Sequence, residues 1–100
     1  MAKTTIIGLL TEVDPIESKE NYSSQQIRIL VQEFDSETGK AREAQVFPVT
    51  FFNKKIKEFN VTALKDKKVK CSAYLKSITR EKDGKTFFNI LLNGSSIEEA

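Results

Sequence analysis

Apolar and polar residues alternate along most of the chain, and this alternation predicts five β-strands. Side chains on a strand point to opposite faces with period two, so each alternating run has one face for a core and one for the outside. The strands are predicted at residues 4–13, 25–35, 42–52, 67–79 and 86–92. The first strand is apolar on both faces, through Ile6, Ile7, Leu9 and Leu10, which predicts burial on both sides for part of its length.

Turn and breaker residues lie between and within these strands. Gly39 is placed for a positive φ between the second and third strands, and Asp83-Gly84 is a strong hairpin signal before the last strand. Pro48 cannot donate to a ladder, which predicts an edge position or a local bulge. Gly8, within the first strand, predicts a sharp bend or a close approach of another backbone.

A short helix is predicted between the third and fourth strands. Asn53 is a suitable N-cap, and Ile56 and Phe59 lie three apart on one face of a helix at about residues 54–59. Five strands with a helix in this position predict an all-β fold, a five-stranded Greek-key barrel of the oligonucleotide/oligosaccharide-binding (OB) class. A small sandwich or an SH3-like barrel is the alternative, and neither needs the helix. One domain is predicted over residues 1–100, with residues 94–100 as a short, flexible tail.

The alternation also sorts side chains into core and surface. On the fourth strand Lys70, Tyr74 and Lys76 share the outer face, opposite Val69, Cys71 and the other small apolar residues. On the last strand Phe88, Ile90 and Leu92 are predicted to point inward, and Phe87, Asn89 and Leu91 outward. The residues assigned firmly to the core are Phe47, Val49, Phe51 and Phe88.

Composition argues against several kinds of chemistry. The chain has no histidine and one cysteine, which disfavours a transition-metal site and a histidine general base, and a single cysteine forms no internal disulfide. No enzyme activity, metal or cofactor is therefore predicted. A reduced cysteine favours the cytoplasm. No apolar run approaches the roughly 20 residues that span a bilayer, so no membrane association is predicted.

Charge is unevenly distributed around a net charge of +2. Residues 1–52 carry five Lys/Arg and eight Asp/Glu, residues 53–85 carry eleven and four, and residues 86–100 carry only two glutamates. An anionic partner at a localised surface and a lysine-rich solvated surface both account for this distribution.

Three segments resemble the bacterial single-stranded DNA-binding protein family. The apolar run at residues 6–10, followed by Asp14-Pro15, resembles that family's opening. Residues 49–54 resemble its apolar strand that ends in phenylalanine before a lysine enters the helix. Residues 64–69 resemble its approach to the fourth strand, with Asp66 replacing the usual glycine. The likeness extends over most of the chain, which departs from the family in having no tryptophan, the residue on which the family commonly stacks bases.

The resemblance implies sequence-independent binding of single-stranded DNA in replication, recombination or repair. It also implies a homo-oligomer, a dimer or a tetramer, and leaves RNA open as a second ligand. Such binding needs exposed rings on which bases stack and cations that follow the phosphates. The predicted rings are Phe52, which matches the family's stacking phenylalanine, Tyr74, Phe87 and Phe34. The predicted phosphate contacts are Arg28, Lys54, Lys55, Lys70, Lys76, Arg80, Lys82 and Lys85.

Two other functions are compatible with the sequence. An OB-fold protein-interaction module, such as a replication accessory, would use the outer aromatic residues to contact another chain and would bind nucleic acid only weakly. A small enzyme or ligand-binding domain would use the acidic loop of Asp14, Glu17 and Glu20 to hold a hard cation, although a solvated loop explains those residues more simply.

Overall fold

The computed structural model describes residues 2–100 and confirms the predicted all-β class. Its strands are β1 (Lys3–Val13), β2 (Glu17–Ser18), β3 (Ser23–Val31), β4 (Gln45–Phe52), β5 (Lys68–Lys82) and β6 (Lys85–Glu99). Helix α1 spans Lys54–Glu58, and a 3-10 helix follows at Val61–Leu64. None of the helices in residues 2–100 has the length and apolar character needed to cross a membrane.

The five long strands close into a barrel. The strand order is β1-β5-β6-β4-β3-β2, and β1 also pairs with β3, which completes the ring. All the long pairings are antiparallel, whereas β4 meets β6 through one parallel bridge, Thr50–Asn93. Pro48 pairs with Arg28 on β3 and has no strand partner on its other side. Pro48 therefore lies at a locally unpaired edge of β4, although β4 as a whole is not an edge strand, because it lies between β3 and β6 in the sheet.

Alternate residues of the long strands fill the barrel as the alternation predicts. Phe51, Val49 and Cys71 are completely buried, and Ile56 of helix α1 and Val61 pack against the same core. The remaining buried apolar residues are Ile6, Leu10, Ile27, Ile29, Val69, Ala73 and Ile97. Burial raises the pKa of the Cys71 thiol to about 12, so this cysteine is a packing residue rather than a nucleophile.

Two glycines are required by close contacts inside the barrel. A β-carbon at Gly8 would overlap the backbone carbonyl of Leu30, which confirms the predicted close approach. A β-carbon at Gly94 would overlap the ring of Phe51, the largest completely buried side chain. The sequence pattern places Gly94 in a tail and therefore misses the second contact.

The predicted turns are present with the expected backbone conformations. Gly39 has a φ of 72°, and Asp83 and Gly84 have φ values of 52° and 75° in the two-residue turn between β5 and β6. The segment predicted as the second strand is shorter than expected. It ends at Val31, and beyond that residue only the isolated bridge between Phe34 and Ala41 remains.

Strand β1 is not buried on both faces, so that prediction is wrong. Ile6 and Leu10 enter the core, but Ile7 and Leu9 on the other face are 49% and 41% exposed. The barrel wall is one sheet thick, and no second layer of residues 2–100 covers its outside. Apolar residues on both faces of a strand therefore do not establish that both faces are covered.

Strands β5 and β6 are longer than predicted and continue beyond the barrel as a two-stranded arm, defined here as residues 75–92. Phe88, predicted as a core residue, is 72% exposed because the barrel does not reach this part of the arm. The predicted end of the last strand is also wrong: β6 continues to Glu99, and Ile97 is buried in the core.

Candidate nucleic-acid interface

One face of β5 and β6 gathers seven of the predicted site residues. Residues directly opposite each other in an antiparallel pair share a face, and the pairs Lys76–Leu91, Arg80–Phe87 and Lys82–Lys85 continue the outer surface of the barrel along the arm. We call this surface the cationic face. Its site residues are Lys70, Tyr74, Lys76, Arg80, Lys82, Lys85 and Phe87.

The cations of this face have no carboxylate partners among residues 2–100. The ion pairs in that part of the chain involve none of its four lysines and not Arg80. Lys82 and Lys85 lie directly opposite each other at the end of the hairpin, an arrangement of like charges that disfavours the free hairpin. An anion bound at this face would relieve the repulsion.

Tyr74 lies where the arm leaves the barrel, and β1 supplies a cation beside it. Lys3 is its direct cross-strand neighbour, and the Lys3 Nζ lies 5.5 Å from the centre of the Tyr74 ring. The sequence pattern does not single out Lys3, since the contact depends on the pairing of β1 with β5. Phe87 is 54% exposed further along the arm, beside Arg80.

Phe52 forms a second aromatic surface at the end of β4, together with Tyr22. Their ring centres are 6.2 Å apart, with the ring planes tilted by 57°, and both rings are accessible. Tyr22 lies in a polar loop before β3, where alternation gives no signal for its orientation. No signal in the sequence therefore indicates that Tyr22 contacts Phe52.

Asn53 fixes the loop that carries Tyr22 against the end of β4. The Asn53 side-chain oxygen accepts a hydrogen bond of 3.0 Å from the Ser23 N–H, and the Asn53 N–H donates one of 3.0 Å to the Ser23 carbonyl. The prediction that the Asn53 side chain caps helix α1 is wrong. Asn53 precedes helix α1, but its side chain makes no capping hydrogen bond, because the Ser23 amide uses it.

The two predicted lysines at the start of helix α1 differ in their surroundings. Lys54 is exposed next to the aromatic surface of Phe52 and has no ion-pair partner in the described chain. Lys55 lies 3.7 Å from a carboxylate oxygen of Glu58, and its Nζ is 5.7 Å from the centre of the Phe59 ring. Of these two lysines, only Lys54 has no carboxylate partner in the described chain.

Arg28 is compensated by carboxylates. Its guanidinium pairs with Glu12 and lies 3.4 Å from a carboxylate oxygen of Asp14. Asp14 and Glu17 also line a small cleft beside β3. The structure thus gives Arg28 a role in joining β3 to the end of β1, and the surface around it is acidic.

Phe34 is 64% exposed in the connection between β3 and β4, at the opposite end of β4 from Phe52. The turn after it is held by Asp35, whose carboxylate accepts hydrogen bonds from the backbone N–H groups of Glu37 and Thr38 and pairs with Arg42. These hydrogen bonds, those from the two backbone N–H groups first, lower the pKa of Asp35. Phe34 therefore lies apart from the other predicted rings, Phe52, Tyr74 and Phe87.

The acidic loop shows no cation site. Among residues 2–100 no three Asp, Glu, Cys or His side chains are grouped so that they could hold a metal ion. Asp14, which lines the small cleft beside β3 together with Glu17, is already paired with Arg28.

Solved structures share this fold at low sequence identity. A deletion mutant of the single-stranded DNA-binding protein from Thermus aquaticus matches with a TM-score of 0.75 and 16% identity, over all of this chain and half of that one. The Plasmodium falciparum SSB, solved in complex with single-stranded DNA, matches with a TM-score of 0.72 and 12% identity, over all of this chain and 95% of the other. No protein-family model and no curated protein matches the sequence. The chain is therefore similar in its fold, along its whole length, to single-stranded DNA-binding proteins of the OB class.

Proposed function

We propose that this protein binds single-stranded DNA without sequence preference and without catalysis, in replication, recombination or repair. The observation that carries the proposal is the cationic face, where five cations without carboxylate partners and two accessible rings lie on one surface of β5 and β6. The similarity in fold to proteins solved as single-stranded DNA-binding proteins supports the same function.

The spacing on the cationic face suits a single strand. Residues two apart on a strand are about 6.6 Å apart, so Lys76, Arg80 and Lys82 form a row of charges along the arm. Tyr74 and Phe87 are separated by six residue pairs, or about 20 Å, which leaves room for several nucleotides between two stacked bases. Stacking of a base on each ring contributes on the order of 1–3 kcal/mol.

The aromatic surface of Phe52 and Tyr22 extends this path across the barrel. Thr50 on β4 is bridged to Asn93 on β6, so the outer faces of the two strands adjoin, and Phe52 lies two residues beyond Thr50. On the other side of β4 the acidic surface around Arg28 would repel phosphates. The proposed path therefore runs from Phe52 and Lys54 to the arm, and Arg28 and Phe34 lie outside it.

A homo-oligomer is part of the proposal. The exposed face of β1, with Ile7 and Leu9, is an apolar surface that a second copy would cover. Whether the assembly is a dimer or a tetramer is a matter for light scattering on the purified protein.

Fluorescence anisotropy with a labelled oligo(dT) at two salt concentrations tests the proposed function. A duplex and an oligo(rU) of equal length serve as competitors. We expect tight binding to the single strand that weakens with salt, and much weaker binding to the duplex. Phe52→Ala should reduce affinity at both salt concentrations because it removes a stacking surface rather than a charge. Absence of single-strand preference at low salt would refute the proposal and favour the protein-interaction module.

A further inference from the structure

The arm has a second face, opposite to the cationic face, that the proposed path does not use. Its central side chains are Ile90, 57% exposed, and Phe88, with Leu75 and Leu92 nearer the barrel. We call this surface the apolar face. Its other members are Ser77, Thr79, Glu81 and Thr86.

A groove lies where the apolar face meets the barrel. Its volume is about 590 Å³, and its walls are mainly apolar, with Val31 and Phe47 on the barrel side and Leu75, Ile90 and Leu92 on the arm. On its other side the groove borders the proposed path of the strand, through Thr50, Phe52 and Asn93. The groove is large enough to receive a phenylalanine side chain. No residue among 2–100 fills it.

Charge favours a protein partner at this face and disfavours a nucleic acid. Glu81 is the only charged residue among the eight that form the apolar face, whereas the opposite face of the arm carries Lys76, Arg80, Lys82 and Lys85. Two copies that approach through their apolar faces keep all of these cations on the outside, where they do not repel each other at close range. The same arrangement leaves both cationic faces accessible.

We propose that the apolar face docks against the same face of a second copy, with the two arms antiparallel. A two-fold axis then passes near the Ser77–Ile90 pair, and the two Ile90 side chains meet there. Phe88 lies two residue pairs nearer the tip than Ile90, and Leu92 lies two pairs nearer the barrel. The symmetry therefore places Phe88 of each copy over Leu75, Leu92 and the groove of the other.

The area of this contact determines whether it forms between free molecules. With the axis at Ser77–Ile90, the five residue pairs from Leu75–Leu92 to Thr79–Phe88 of the two arms face each other, over a length of about 17 Å and a width of about 10 Å, or roughly 170 Å² in projection. A stable interface buries about 800 Å² on each partner. The arm contact is smaller, so it is weak between free molecules and forms when two copies are held close together.

A single strand that binds several copies provides that proximity, and this step rests on the proposed function. Copies held on one strand have a high effective concentration relative to each other, so a weak contact becomes populated. Docking of the arms would then make binding to long strands cooperative. Binding of one copy to a short oligonucleotide would be unaffected.

Cross-linking through Ile90 tests the inference. Ile90→Cys places a thiol at the proposed axis, and Ile16→Cys is the matched control, because Ile16 is 53% exposed and lies outside the arm. The native Cys71 is completely buried and does not react with a maleimide in the folded protein. Each variant is treated with a short bismaleimide in three samples: on long oligo(dT), on oligo(dT) too short for two copies, and as concentrated protein without DNA.

We expect a several-fold excess of covalent dimer for Ile90→Cys over Ile16→Cys, on long oligo(dT) and in concentrated protein. Equal yields from the two variants in both samples would overturn the inference. The DNA-free sample tests the contact between the arms even if the protein does not bind DNA. Lack of binding to the short oligo(dT) refutes the proposed function, whereas the yields of dimer test the arm contact.

The cooperativity of binding to long oligo(dT) provides a second test of the arm contact. Phe88→Ser should lower the steepness of binding to long oligo(dT) and leave the affinity for the short oligo(dT) unchanged, and Ile16→Ser should change neither. Loss of short-oligo affinity in Phe88→Ser would overturn the inference, because it would mean that the apolar face itself contacts the strand.

Discussion

Replacing Lys82 and Lys85 with glutamine removes two of the five unpaired cations of the cationic face without disturbing the core. Both residues are exposed at the end of the arm, and neither contributes an ion pair to the described structure. Because they lie directly opposite each other, their neutralisation also relieves a like-charge repulsion. The variant should therefore be at least as stable as the parent protein in a thermal melt.

The expected effect on binding follows from the release of counterions. Each neutralised phosphate on a single strand contributes about −0.7 to the slope of log K against log salt, so five contacts give about −3.5 and three give about −2.1. A fourfold rise in salt would then weaken binding roughly 100-fold for the parent protein and only about 20-fold for the variant. The difference in slope is easier to interpret than the loss of affinity at one salt concentration.

The assay is a salt titration of oligo(dT) binding followed by fluorescence anisotropy. Lys40→Gln with Lys65→Gln is the control, since it lowers the net charge equally at exposed sites outside the cationic face. If both double variants change the slope by the same amount, the protein responds to its overall charge. That result would refute the placement of the strand on the arm.

Three further predictions concern the stability of the barrel. Gly94→Ala should lower the free energy of unfolding by about 1–3 kcal/mol, measured by urea denaturation, because the added methyl group overlaps the buried ring of Phe51; an unchanged midpoint would contradict the packing described. Asp66→Gly should raise the melting temperature, because Asp66 has a φ of 67° and glycine adopts this left-handed conformation without the steric cost of a β-carbon; a lower melting temperature would refute this explanation. The pKa of Asp35 is lowered in the folded state, so its contribution is present above the ordinary value of 3.8 and is lost as the pH falls through the folded value. Asp35→Asn should therefore reduce the loss of stability in acid, and equal acid sensitivity of the two proteins would argue against the contribution of this turn.

Alternation predicted much of the cationic face because it depends only on local geometry. Lys70, Tyr74 and Lys76 share a side of β5 whatever the rest of the barrel does, and the Asp83-Gly84 turn brings β6 back beside β5. The closed all-β fold was predicted from the same patterns together with the position of the helix.

The contacts that the sequence analysis missed depend on pairing between distant segments. Tyr22 reaches Phe52 because hydrogen bonds join Ser23 to Asn53, thirty residues away. Arg28 is neutralised because β3 pairs with the end of β1. For Phe88, the alternation gave the correct side of the strand but did not show where the barrel ends. A face is buried only if something covers it, and period-two patterns carry no information about that.

One extra residue in β6 keeps the arm in register with the barrel. Ser72 pairs with Ser96 and Ala73 pairs with Gly94, so Ser95 has no partner and forms a bulge at the base of the arm. The bulge shifts the parity of β6, which puts Ile97, in the core, on the same side as the even-numbered Leu92, Ile90 and Phe88. Deleting Ser95 would remove the bulge and keep Gly94 opposite Ala73 and Phe87 opposite Arg80, so the two faces of the arm would persist while the local bend and twist at its base would be lost. Insertion or deletion of a residue pair at the tip would instead change the length of the arm, and the remaining side chains would stay on their present faces.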